Sequence, residues 1–327
     1  MIAFDRVSKT YPGGVEAVRN LSLEVQDGET LVLLGTSGSG KTTTMKMVNR
    51  LIDPTSGSVL LDDVDVMEQD PIRLRRKIGY AIQHIGLFPH MTVAENVSVV
   101  PNLLRWPRPE LHEWVGELLT KVGLPPEEFR DRYPSELSGG QRQRVGVARA
   151  LAADPPVVLM DEPFGALDPI TREQLQNEFI DLQSEIQKTV IFVTHDVFEA
   201  VKMGDRIALL HEGELQQLGA PRDIVERPAN EFVDHFLGQH RFQLSLLTRT
   251  VKSIMEEWGQ PADQWPSTAP KHALRANSTL VEALDTFKKS GKQTLAVLEG
   301  KQLIGYLSRD RLLESVAQLI GSIGESA

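Results

Sequence analysis

Short, unbroken apolar runs bounded by turn-forming residues recur along the chain, as in Leu31-Val32-Leu33-Leu34, Val157-Val158-Leu159-Met160 and Val190-Ile191-Phe192-Val193. Runs of this length without alternation mark strands buried on both faces, which predicts a mainly parallel sheet. Between them the spacing turns helical: Met45, Val48, Leu51 and Ile52 precede the stop Asp53-Pro54, and Leu111, Val115, Leu118 and Leu119 precede Gly123. The alternation predicts an α/β fold. From about residue 84 to 155 strand runs cease while helical patterns continue, so a mostly helical subdomain is expected as an insertion before the sheet resumes at Val157.

After His211-Glu212-Gly213-Glu214, a predicted hairpin turn, the pattern weakens through Pro221 and Pro228. A large domain over 1–239, a linker over 240–269 and a small domain over 270–327 are expected. In the small domain Thr279-Leu280-Val281-Glu282 has capping-box spacing, and Leu280, Ala283, Leu284 and Phe287 form one helical stripe ending at Ser290-Gly291. Two short strands, Thr294–Leu298 and Leu303–Leu307, and a helix from near Arg309 complete it, with no strand expected ahead of the stripe. A chain of 327 residues is long enough for one large core and this appendix.

Composition narrows the function classes. A net charge of -10 argues against general affinity for phosphate backbones. Zero cysteines exclude disulfides, thiolate metal sites and a catalytic thiol, and fit a reducing compartment. The start, Met1-Ile2-Ala3-Phe4-Asp5-Arg6, lacks the apolar run of a secretion signal, and nowhere do about 18 apolar residues follow one another. A membrane role is therefore expected only through a partner.

The chemistry begins at Gly35-Thr36-Ser37-Gly38-Ser39-Gly40-Lys41-Thr42, a P-loop pattern that follows a predicted strand and opens a predicted helix. Its glycines turn backbone N–H groups toward phosphates, Lys41 reaches the β- and γ-phosphates of ATP, and Thr42 ligates Mg²⁺. Thr43 is placed to meet the α-phosphate. The run Val157–Met160 delivers Asp161-Glu162 at the strand end where ligands bind in open α/β sheets. Asp161 suits the Mg²⁺ shell, and Glu162 can take a proton from the attacking water. Taken alone, this acidic pair reads as a helix start or a solvated surface. Ser138-Gly139-Gly140-Gln141 likewise reads alone as an ordinary capping box; its bare N–H groups also suit a second anion, such as the γ-phosphate of a nucleotide held by another chain. No metal site beyond Mg²⁺ is expected, since His84 and His90 have no partner at ligand spacing.

With the P-loop before it and Asp161-Glu162 after it, Leu137-Ser138-Gly139-Gly140-Gln141 resembles the signature of the ABC ATPases over about residues 1–237. The resemblance implies a P-loop cassette with ATP and Mg²⁺ as cofactors. It implies a homodimer in which each ATP lies between the P-loop of one subunit and Ser138, Gly139, Gly140 and Gln141 of the other. By the same resemblance Tyr11 stacks on adenine, Gln83 senses Mg²⁺ and water, His195 meets the γ-phosphate, and Asp168 couples the two sites. Gly165 departs from the Ser frequent in that last motif. The stretch His84–His90 resembles the face that receives a permease helix in importers.

The stretches Thr43–Ile52, Arg75–Gln83 and Asp161–Thr171 are similar to the quaternary-amine branch of importers, which carry glycine betaine, choline, carnitine or related compatible solutes. That implies integral permease subunits, an extracytoplasmic solute-binding protein, and a peripheral place on the cytoplasmic face of the inner membrane. The tail from about 270 resembles a single CBS motif, implying dimer packing or nucleotide and ionic-strength sensing. A soluble ABC-type ATPase acting on nucleic acid or ribosomes is the alternative. Long coiled-coil insertions, a second cassette or a basic surface would favour it, and the sequence has none of them.

Overall fold

The computed structural model describes residues 1–82, 86–165, 167–258, 272–300 and 302–324. It divides the chain into two compact units, Met1–Leu218 and Gly219–Ala327.

The first unit opens with β1 (Ile2–Thr10), β2 (Glu16–Val25) and β3 (Thr30–Gly35), followed by α1 (Lys41–Val48), β4 (Ser56–Leu61), β5 (Val64–Asp65), α2 (Pro71–Arg76) and β6 (Ile78–Ala81). Then come α3 (Val93–Val97), α4 (Val99–Leu103), α5 (Arg108–Lys121), α6 (Pro126–Phe129) and α7 (Gly139–Leu151), with no strand among the described residues between them. The unit closes with β7 (Val157–Asp161), α8 (Pro169–Ile186), β8 (Thr189–Thr194), α9 (Val197–Met203), β9 (Arg206–His211) and β10 (Glu214–Gly219).

The strands make two sheets. One runs in the order β10-β9-β3-β8-β7-β6, and β9, β3, β8, β7 and β6 pair in parallel. The three apolar runs read from the sequence are β3, β7 and β8, and every residue in them is buried. The other sheet, β2-β1-β4-β5, is antiparallel and was not foreshadowed: its alternation is broken by irregular register between Phe4 and Thr10, where Arg6 takes a positive φ of 47°. A single apolar core joins both sheets to α1, including Phe4, Val25, Leu33, Met45 and Val193. The hairpin expected at His211–Glu214 joins β9 to β10, with Glu212 and Gly213 both at positive φ.

The second unit holds α10 (Pro221–Glu226), α11 (Glu231–Leu237), α12 (Arg241–Thr248), α13 (Val251–Trp258), β11 (Ala273–Arg275), α14 (Leu280–Ser290), β12 (Thr294–Glu299), β13 (Gln302–Ser308) and α15 (Arg309–Gly324). In place of a linker beginning at 240, α12 and α13 pack into this unit's own core, where Val251 and Ile254 meet Leu274, Leu280, Phe287, Val297, Leu307 and Leu312. Pro221, read as a breaker, is the first residue of α10, where its missing N–H costs no hydrogen bond. Residues 259–271 of the expected linker lie outside the described residues. The expected start without a strand is also corrected: β11 pairs in parallel with β12, which pairs antiparallel with β13. A three-residue strand has too few positions for its period to be read. The Thr279 capping box forms as its spacing predicts, Thr279 Oγ1 accepting from the Glu282 N–H and Glu282 from the Thr279 N–H.

Candidate active site

Parallel pairing places the C-terminal ends of β3, β8 and β7 side by side, and each delivers a different part of the site. From β3 the chain enters the Gly35–Thr42 loop and then α1. Gly40 caps that helix at φ 97°, and a Cβ there would come within 2.3 Å of the Ala17 carbonyl on β2. Only glycine satisfies both the left-handed backbone and that approach. Lys41 is 6% exposed, and its ammonium donates to the Gly35 and Thr36 carbonyls at 2.8 and 2.7 Å, with Ser39 Oγ at 3.4 Å. Burial lowers its pKa, while the Glu162 and Asp161 carboxylates favour the charged form.

From β7 come Asp161 and Glu162. Thr42 Oγ1 donates to Asp161 Oδ1 at 2.9 Å, joining the first turn of α1 to the strand end. Burial raises the Asp161 carboxyl, opposed by the Thr42 hydrogen bond and by Lys46 and Lys41. Glu162 turns out of the strand at φ 45°, its N–H held by the Val193 carbonyl at 3.0 Å. That turn brings Glu162 Oε1 to 3.2 Å from His195 Nδ1 at the end of β8. His195 keeps 62% of its side-chain surface open to solvent, so the pair faces a region a substrate can reach. Tyr11 sits just after β1 with its hydroxyl 3.3 Å from Thr43 Oγ1, and Lys9 lies 5.5 Å from its ring centroid. The expected residues Tyr11, Lys41, Thr42, Thr43, Asp161, Glu162 and His195 are thus brought together by adjoining elements. Gln83 and His84 lie outside the described residues.

The Ser138 turn is built differently. Ser138 Oγ accepts from the Gln141 N–H at 3.2 Å, and Gln141 Oε1 accepts from the Ser138 N–H at 2.8 Å, a closed capping box at the start of α7. A Cβ on Gly139 would meet nothing within 4 Å, whereas one on Gly140 would come 2.7 Å from Thr171 Cγ2, in the first turn of α8. Asp168 caps α8 by accepting from the Thr171 N–H at 3.1 Å, and the bonds to Thr171 hold its carboxyl below the usual range. The N-termini of α7 and α8 therefore lie against each other within one chain.

Two buried residues beside His195 belong to no motif read from the sequence: Gln176 on α8 donates to Glu199 on α9 at 2.9 Å. Between them and His195, Asp196 caps α9, accepting from the Phe198 and Glu199 N–H groups.

Residues 18–165 match the family model described as ABC transporter. The choline transport ATP-binding protein OpuBA of Bacillus subtilis is 49% identical over 94% of this chain and 78% of its own length. The glycine betaine/carnitine/choline transport ATP-binding protein OpuCA of the same organism is 47% identical over 100% of this chain and 83% of its own. Among solved structures, the dimeric bacterial ABC transporter cassette MJ0796 superposes with a TM-score of 0.61 at 37% identity, covering 67% of this chain and 98% of that one. With a P-loop, acidic strand end and histidine assembled on such a cassette, the chain belongs to the ABC transporter ATP-binding proteins and is an ATPase.

Proposed function

We propose that the chain energises import of a quaternary-amine compatible solute, working as a homodimer beneath integral permease subunits on the cytoplasmic face of the membrane, with an extracytoplasmic solute-binding protein supplying the permease. The observation that carries this is the convergence of Lys41, Thr42, Asp161, Glu162 and His195 on neighbouring strand ends. The solute class follows from relatives whose names specify choline, glycine betaine and carnitine.

In this reading the N–H groups of Gly35–Thr43 cradle the phosphates of ATP, Lys41 exchanges its carbonyl partners for β- and γ-phosphate oxygens, and Tyr11 stacks on the adenine. Thr42 Oγ1 and Asp161 Oδ1, two hard oxygens 2.9 Å apart with burial working against the carboxyl's charge, suit a divalent cation. Mg²⁺ held there with help from Gln83 would neutralise charge on the phosphates. Glu162 takes the proton of the attacking water, and His195 orients that carboxylate from 3.2 Å while facing the γ-phosphate.

The Ser138–Gln141 turn spends its side chains on each other, which leaves the open backbone at Gly139 for the γ-phosphate bound by the partner subunit. Asp168, beside it through α8, couples the two sites. A cavity of about 330 Å³ lined by Tyr80, Phe88, Val99, Val100 and Arg149, among others, supports docking of a permease helix near the His84–His90 stretch. The mixed sheet and helices of the second unit support a CBS-like module that packs the dimer.

Gentle solubilisation of native membranes with the chain tagged, followed by mass spectrometry of what copurifies in ATP, tests the proposal. Integral permease subunits are the expected companions; ribosomes or DNA-repair proteins alone would overturn it.

A further inference from the structure

Helix α8, capped by Asp168, passes beside the segment that carries His195. The Arg172 guanidinium donates through Nη2 to the Leu167 carbonyl at 3.1 Å, in the loop ending at Asp168, and its Nη1 stands 3.9 Å from Asp196 Oδ2. Four residues on, Gln176 donates to Glu199 at 2.9 Å, with both residues more than nine-tenths buried. Glu199 is also hydrogen-bonded to Thr194, whose hydroxyl accepts from the Asp196 N–H at 3.0 Å. His195 is thereby bracketed by Thr194, which reaches α8 only through Glu199 and Gln176, and by Asp196, which faces Arg172 on α8.

These contacts close a ring. It runs from Glu162 along the chain to Leu167, across Arg172 to Asp196, back one residue to His195, and over 3.2 Å to Glu162. An ion pair at 3.9 Å whose side chains are each about one-third exposed is weak by itself. Its place in the ring gives it leverage, because the buried Gln176–Glu199 bond pins the rest of α8 and leaves little slack. A planar guanidinium fork can hold two partners at fixed directions, which a lysine cannot.

We propose that Arg172 is a positioning residue linking the Asp168 loop to His195, so that displacement of that loop resets the His195–Glu162 pair. This rests on the roles proposed above for His195, Glu162 and Asp168.

A double-mutant cycle on the full-length chain tests it, with single-turnover release of labelled phosphate reading rates down to about a thousandth of wild type. Arg172→Met is expected to lower the rate about 10- to 100-fold, as loss of sub-ångström placement does, with ATP affinity within about twofold. Arg172→Lys should recover only part of the loss. In a His195→Gln background, Arg172→Met should lower the rate by less than about twofold further. An undiminished loss in that background would overturn the link while leaving the site assignment intact, and so would full recovery by Arg172→Lys. Wild-type turnover by His195→Gln alone would remove the role of His195 and the link with it. Should Arg172→Met not fold, Arg172→Lys goes through the same cycle and decides by the same criterion.

Discussion

Glu162 occupies a backbone conformation that costs a non-glycine residue about 1–3 kcal/mol, and the Val193 carbonyl holds it there. A carboxylate so placed can accept a proton from water, whereas an amide of the same shape cannot. Glu162→Gln is therefore expected to bind ATP normally by calorimetry and to lose at least about 100-fold in phosphate release. Undiminished release would end the general-base assignment.

Nearby, burial pushes the Glu199 carboxyl up from its ordinary 4.5, against hydrogen bonds from Thr194 and Gln176. A carboxyl raised on folding holds its proton more tightly in the folded chain, so stability declines as pH climbs from 4.5 through the raised value, and the decline is complete above it. Glu199→Gln lacks that proton. Its melting temperature relative to wild type should rise as pH goes from about 4 to 7, and a difference independent of pH would contradict the buried charge.

At the scale of elements, short-range signals decide what holds each helix in place. Thr279→Ala removes one side of a closed capping box and should cost the second unit about 1 kcal/mol, measured by calorimetric unfolding; an unchanged midpoint would mean α14 starts without it. The same kind of local signal made much of this molecule legible in advance. The P-loop, the acidic end of β7 and the Ser138 box each depend on residues within a few positions of one another. What escaped depends on distant partners. The register breaks in β1 hid the antiparallel sheet, and α12 and α13 passed for a linker because their apolar face is satisfied by residues far along the chain, among them Leu274, Phe287 and Val297. Arg172 and Gln176 belong to no local pattern, since their partners Asp196 and Glu199 arrive from another element.

The whole molecule is two units with separate cores. A chain of residues 1–219, which keeps β10 and every described site residue, is expected to fold cooperatively and bind ATP as tightly as the full chain; loss of the thermal transition would show that the second unit is needed for the first. Within the first unit, the 2.3 Å clearance between a Cβ on Gly40 and the Ala17 carbonyl means that the phosphate loop is moulded on β2, while the Arg19 N–H bonds the Gly213 carbonyl on the other side. Chimeras that graft a foreign phosphate loop onto this chain will consequently have to import its matching β2 as well, because the two behave as one interchangeable part although most of β3 lies between them in the chain.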